Sequence, residues 1–245
     1  MSSSIRVILL DIEGTTTHLD FVLKELFPFA RAHLREFLSQ HWNSEDVRQA
    51  LTLLRRRQEA DEAEGINPPK VSWNRPQVEP VLKYLNWLME RDSKDTGLKL
   101  LQGRIWEEGY GSGELKSHVF PDVPLALRRW RAQEKEISIF SSGSVLAQKL
   151  LFAHTVAGDL TPYISQYFDT NIGGKREPSS YESIAEKVGR PPAEMMFVSD
   201  VGEELDAAQQ AGMQTVLCVR PGNHPLGKPV RLRICHSFDE ISSEP

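Results

Sequence analysis

The run Ile5-Arg6-Val7-Ile8-Leu9-Leu10, broken once by Arg6, ends abruptly at Asp11-Ile12-Glu13-Gly14-Thr15. A short apolar run of this β-branched content predicts a buried strand. Two carboxylates then emerge at its carboxyl end, with Gly14 opening the turn behind them. In an open α/β sheet that edge is where ligands bind. The threonines offer hydroxyls and backbone N–H groups to an anion. Two acids so spaced can share a divalent cation while one stays free as a nucleophile. They can equally be the acids of a surface turn that caps the next segment, and the motif alone does not decide.

Further β-like runs recur after residue 120: Ile137-Ser138-Ile139-Phe140, Met195-Met196-Phe197-Val198 and Thr215-Val216-Leu217-Cys218-Val219, with Tyr167-Phe168 as a short fourth. Helical patterns separate them. Ser179 to Glu182 has the form of a capping box for a helix running to about Gly189. Glu203 to Ala211 is a second helix, stopped by Gly212. Alternating strands and helices imply a parallel sheet covered on both faces. The fold class is therefore α/β, a parallel sheet with helices on both faces.

Residues 17–120 read differently. Leu19, Val22, Leu23, Leu26, Phe27, Ala30, Leu34, Phe37 and Leu38 recur at helical spacing, with Pro28 set to kink or split the helix. Ser44 is placed to cap a second helix through Leu54, and Val78 to Met89 suggest a third. Gly65 to Pro80 is the most loop-like part. The expected organisation is an α/β core made of 1–16 and 121–245, with an all-helical cap inserted at 17–120. An insertion directly behind the first strand suits a lid that excludes water.

Composition narrows the class. Of 245 residues, 40% are hydrophobic and 26% charged, ordinary values for a globular protein. A net charge of −5 argues against a nucleic-acid-binding surface. Arg55-Arg56-Arg57 reads as a solvated helix face. Cys218 and Cys235 supply neither metal-site spacing nor a disulfide framework, and reducing conditions are expected. Met1-Ser2-Ser3-Ser4 precedes too short an apolar run for a signal peptide, and no stretch approaches the ~20 apolar residues of a membrane span. A cytoplasmic protein without a membrane partner is expected.

Three more polar clusters fall at predicted strand ends. Ser141-Ser142-Gly143-Ser144 lies between a strand and a helix running from Val145 to His154, where free N–H groups and hydroxyls form an anion site. Ser141 and Ser142 read as phosphate contacts and Ser144 as a plain N-cap. Lys175 follows Gly173-Gly174, where glycine lets backbone approach a ligand. It can neutralise a phosphate and its attacking carboxylate, although alone it also reads as an exposed loop lysine. Asp200, in Ser199-Asp200-Val201-Gly202-Glu203-Glu204, stands at its strand end as Asp11 does. A third acid there suits Mg²⁺, which takes one or two carboxylates with waters and phosphate oxygens. Glu204 can hold a metal-bound water or orient Lys175, or simply be an acid in a first helical turn.

The order of these clusters resembles that of the haloacid dehalogenase-like phosphohydrolases, whose pattern is Asp-x-Asp-Gly-Thr, then Ser or Thr, then Lys, then an acidic pair. Their core is Rossmann-like and often carries a helical cap after the first motif. Glu13, where most of these phosphatases have Asp, narrows the resemblance to the enolase-phosphatase branch that serves methionine salvage. Asp11 to Thr17, Trp106-Glu107-Glu108-Gly109-Tyr110, Gly173-Gly174-Lys175-Arg176-Glu177 and Ser199 to Leu205 are similar to that branch as well. The resemblance implies a substrate, 2,3-diketo-5-methylthiopentyl 1-phosphate, converted through its enol phosphate to acireductone and phosphate. It implies Asp11 as nucleophile and Glu13 as acid and base. Ser141, Ser142 and Lys175 would bind substrate, and one Mg²⁺ per chain would be held by Asp11, Glu13 and Asp200. In the family the second acid reaches the metal only through its backbone carbonyl, so Glu13 has two ways to contribute. A monomer is expected. The alternatives are a phosphatase of the same family acting on another small phosphate ester, a phospho-accepting signalling receiver, for which the cap has no use, and a catalytically silent binding protein.

Overall fold

The computed structural model describes residues 4–223 and 232–241; the Met1-Ser2-Ser3 start lies outside them. The first apolar run forms β1 (Val7–Leu10), buried throughout. The later runs form β2 (Glu136–Phe140), β3 (Gln166–Phe168), β4 (Met195–Ser199) and β5 (Gln214–Cys218). A further short strand, β6 (Arg233–Cys235), was not expected from sequence. Two of its three residues are exposed, so it lacks the apolar run that betrays the others. Among the described residues the sheet order is β3-β2-β1-β4-β5-β6, parallel at every pairing. Strand order reverses around β1, so the ligand crevice of such a sheet lies at its carboxyl end.

Register carries the crevice into side-chain positions. Leu10 pairs with Ile139 on one side and Val198 on the other. One step further along, Asp11 comes beside Ser199, and Ser141 and Asp200 lie at the same edge. Alternation sends Val7 and Leu9 to one face. There they join Phe140, Phe197, Tyr181, Ile184 and Leu205 in a continuous core. Burial of each such side chain contributes about 1.5–3 kcal/mol, which makes β1 a fixed platform for the residues that follow it. Cys218 and Cys235 face each other across β5 and β6 as buried free thiols.

The described helices are α1 (Leu19–Phe21), α2 (Phe27–His41), α3 (Glu45–Ala63), α4 (Val78–Glu90), α5 (Thr96–Ser112), α6 (Asp122–Ala132), α7 (Val145–Ala153), α8 (Pro178–Val188) and α9 (Gly202–Gln210). Pro28 does split its helical run. The break is a π turn at Val22–Leu26, and Pro28 lies in the first turn of α2, where it needs no N–H donor. Ser44 caps α3 by accepting from the Val47 N–H, as its spacing predicts. The expected capping box at Ser179 does not form. Helix α8 begins earlier, with Pro178 in its first turn and Glu177 at the N-cap without a side-chain bond. Proline's preset φ thus overrides the weaker Ser signal. Helices α5 and α6 were missed. The first is rich in glycine and carries a blurred apolar stripe, and its start is signalled only by Asp95, which accepts from the Leu98 N–H.

The chain divides into two compact units, 1–23 with 115–245, and 24–114. One limit falls inside the π turn Val22–Leu26 and the other after Glu114, and residues on the flanks of the helical unit bond to the α/β unit. The Thr17 hydroxyl donates to the His118 carbonyl, and the Phe120 N–H donates to Thr16 O at 3.0 Å. Within the helical unit α3 packs on α5, and α2 on α4 and α5. Trp106 and Tyr110 are buried there, and the Trp106 indole N–H donates to the Leu26 carbonyl at 2.8 Å. Arg57 pairs with the buried Asp61 at 2.8 Å, so one residue of the arginine triplet does more than solvate a face.

Candidate active site

Asp11 leaves β1 with its N–H bonded to Val198 O at 3.0 Å and is only 2 % exposed. The chain then folds back on itself: the N–H groups of Thr15, Thr16 and Thr17 all point at the Ile12 carbonyl, at 2.9–3.2 Å. That turn needs Gly14. Its φ is +71°, and a Cβ there would collide with the Asp200 carboxylate. Glycine is the residue that enters this region without steric penalty.

The expected site residues converge on this turn. Lys175 Nζ lies 2.6 Å from Asp11 Oδ1 and 2.7 Å from Glu204 Oε2. Its backbone is fixed by the Tyr181 hydroxyl, which donates to Lys175 O at 2.6 Å. Gly173, at φ +140°, lets the loop pass close to Ser180. Ser141, buried at the end of β2, donates its hydroxyl to Glu13 Oε2 at 3.3 Å and accepts from the Gly143 N–H at 3.1 Å. Ser142 lines a cavity of about 310 Å³ with Thr170, Lys175, Arg176 and Glu204. Ser144 is the plain N-cap of α7, accepting from the Ala147 N–H. Glu204 joins the site through Lys175, and the exposed-loop reading of that lysine does not hold.

Electrostatics explains why one cation sits among these acids. Burial alone would lower the Lys175 pKa, but the charges of Asp11 and Glu204 overrule it and push the group up, keeping it ammonium. Asp200 is raised to about 7 by burial first and by the Asp11 charge second, against the pull of Lys175. Glu204 is raised to about 7 for the same two reasons. Glu13 is also raised, by burial and then by Asp11. The site therefore holds more carboxylates than one lysine can neutralise. Hard oxygen donors with surplus negative charge are the chemistry of a Mg²⁺ site.

Among the described residues no group of three or more His, Cys, Asp or Glu side chains is arranged to hold a metal ion. The Glu13 carboxylate is directed to Ser141, which leaves Asp11 and Asp200 as the carboxylates free of that contact.

A family model described as haloacid dehalogenase-like hydrolase matches residues 5–212. The chain belongs to the haloacid dehalogenase-like hydrolases. Within that family it is 49% identical over 238 residues to the Enolase-phosphatase E1 of Synechococcus elongatus, covering 97% of this chain and 98% of that protein. It is 46% identical over 223 residues to the Enolase-phosphatase E1 of Drosophila mojavensis, covering 91% and 88%. Among solved structures, the UTR4 protein of Saccharomyces cerevisiae superposes with a TM-score of 0.79 at 32% identity, covering 97% of this chain and all of that one.

Sequence reasoning did not single out two groups that this hydrolase places at the motif. Ser199 Oγ lies 3.3 Å from Asp11 Oδ2 and 3.0 Å from Glu204 Oε2, while accepting from the Val201 N–H. Its signal was available, since it is the last residue of β4 and directly precedes Asp200. Asn223 donates to the Gly14 carbonyl at 2.9 Å from the loop after β5. That loop carried no chemical motif, so only the fold reveals it.

Proposed function

We propose that this enzyme converts 2,3-diketo-5-methylthiopentyl 1-phosphate, through its enol phosphate, to acireductone and phosphate in methionine salvage. The observation that carries the reading is the position of Asp11: at the end of the central strand, in contact with Lys175, with Glu13 behind it on a turn only glycine permits. The near full-length likeness to enolase-phosphatases supports the substrate.

In this mechanism an Asp11 carboxylate oxygen attacks phosphorus and the ester P–O bond breaks, leaving an aspartyl-phosphate. Glu13 gives its proton to the departing oxygen. Burial, and then the Asp11 charge, raise its pKa, which favours the protonated acid. Water then attacks the phosphoryl group, returning a proton to Glu13 and freeing Asp11. Lys175, Ser141 and Ser142 hold the equatorial oxygens, and in phosphoryl transfer such positioning and charge placement supply most of the catalysis. Asp11 and Asp200 would hold one Mg²⁺ per chain, with Glu13 contributing its carbonyl rather than its side chain. The metal, when bound, offsets repulsion between the Asp11 carboxylate and the phosphate dianion. Enolisation precedes this step and needs a base beside a carbonyl. Glu13, one methylene longer than aspartate, is assigned that task as well: as the carboxylate it takes the carbon proton that it later gives to the departing oxygen, the enolate oxygen is protonated from solvent, and the proton gained from water is released to solvent before the next turnover.

The helical unit enters the chain directly behind the motif, which supports its role as the cap. A monomer in the cytoplasm completes the reading. The test is direct: incubate the protein with the diketone phosphate and Mg²⁺, follow the enol chromophores by absorbance and assay phosphate. Enol formation followed by phosphate release is expected. Phosphate release from other small esters, with none from the diketone, would favour a different phosphatase of this family.

A further inference from the structure

The carbonyls of Gly14, Thr15 and Thr16 point away from the turn that carries Glu13, and each is taken by a group from elsewhere. Asn223 Nδ2 donates to Gly14 O at 2.9 Å, Arg220 Nε to Thr15 O at 3.2 Å, and the Phe120 N–H to Thr16 O at 3.0 Å. Arg220 is the centre of this set. It is only 6 % exposed. Its guanidinium forks onto Asp122, with Nη1 3.1 Å from Oδ1 and Nη2 2.8 Å from Oδ2, and Nη1 also reaches His236 O at 3.0 Å. The rings of Phe120 and Phe238 lie 4.4 and 4.8 Å from its central carbon. Asp122 is locked in turn, accepting from the Phe238 N–H at 2.6 Å and the Ser237 hydroxyl at 3.2 Å.

Burying an ion pair is expensive, and apolar residues of similar volume are often as stable or more so. What an apolar pair would lack here is the Nε–H on the Thr15 carbonyl. We propose that Arg220, locked by Asp122 and assisted by Asn223, is a positioning residue for the reaction. It holds the Ile12–Thr17 turn so that Glu13 keeps its place against Ser141. It touches neither substrate nor phosphate, and the inference rests on the reading of Asp11 as nucleophile and Glu13 as acid and base. Lysine cannot replace it, because an ammonium lacks the planar fork that serves Asp122 and Thr15 together.

The test compares Arg220→Lys, Asp122→Asn and Asn223→Ala with wild type. Displacing a catalytic group by ~1 Å costs up to roughly a hundredfold. The expected result is therefore a kcat lowered by about tenfold to a hundredfold with KM within about twofold. Amide exchange of residues 12–17 should quicken, while β1 and β4 stay as protected as in wild type. A merely structural role would lower the melting temperature and leave kcat per folded molecule and exchange of the turn unchanged, and that result overturns the proposal. Asn223→Ala removes only the side-chain bonds to Gly14 O and Cys218 O from a half-buried loop residue, so it decides the question should the Arg220 or Asp122 variants not fold. p-Nitrophenyl phosphate is assayed beside the diketone phosphate. If wild type hydrolyses neither, the phosphohydrolase reading fails, and exchange of residues 12–17 still decides whether Arg220 and Asn223 hold the turn.

Discussion

Lys175 shows what a single residue does among like charges. It touches Asp11 and Glu204 at once and so holds the Asp11 carboxylate in place. Burial first, and the Asp11 charge second, raise Asp200 and Glu204 to about 7. Asp11→Asn should abolish phosphate release while the substrate still binds, and the pKa values of Asp200 and Glu204 should fall, because the repelling charge is gone. Carboxyl titration by NMR with a phosphate assay reads both, and phosphate release at an undiminished rate would remove Asp11 as nucleophile. Glu13→Asp shortens the acid by one methylene. Enolisation should drop by roughly a hundredfold, the scale of a lost general base, and more than phosphate release does. Wild-type rates for both steps would show that Glu13 accompanies the enolase activity without causing it. Asp11, Glu13, Lys175 and Asp200 were legible in sequence as candidates because Asp11 and Asp200 directly follow strands, Glu13 lies two residues past Asp11, and Lys175 follows a glycine pair. Asn223 was not, since a lone Asn has too many ordinary uses, and Ser199 was passed over although it directly precedes Asp200.

At the scale of elements, boundaries follow the strongest local signal. Pro178 outranks Ser179 at the start of α8, whereas Ser44 meets no competitor at the start of α3. Ser44→Ala should therefore destabilise the helical unit by about 1 kcal/mol, read as a shift in urea midpoint, with little change in kcat. An unchanged midpoint would mean that the cap bond to Val47 adds nothing. Strands β1, β2, β4 and β5 were readable because burial on both faces leaves continuous apolar runs. Strand β6, largely exposed, and α5, with its glycines, lack such a run or a clean stripe, and tertiary packing decides them.

Across the whole molecule, the Arg220–Asp122 pair ties the segment after β5 to the start of α6 and to the motif turn. Burial would raise the Asp122 carboxyl, but hydrogen bonds from Arg220 and from the Phe238 N–H overrule it, and its pKa is lowered. A carboxyl lowered in the folded state stabilises the fold above its unfolded value of about 3.9 and loses that contribution as pH falls through the folded value. Wild type should thus lose stability below about pH 4 more steeply than Asp122→Asn, with urea unfolding as the measure. Parallel losses would show that the pair adds no pH-dependent stability. By itself the sequence determined the strand that ends in Asp11-Ile12-Glu13, the parallel sheet, the helical insertion and the acids and lysine of the site, because each is written locally, in apolar period, glycine placement or charge. Only the tertiary structure decided which carboxylate meets Lys175, that Glu13 faces Ser141, and that Arg220, from a loop 205 residues beyond Thr15, holds the motif turn. Such pairings depend on register and on strand order, which no local pattern encodes.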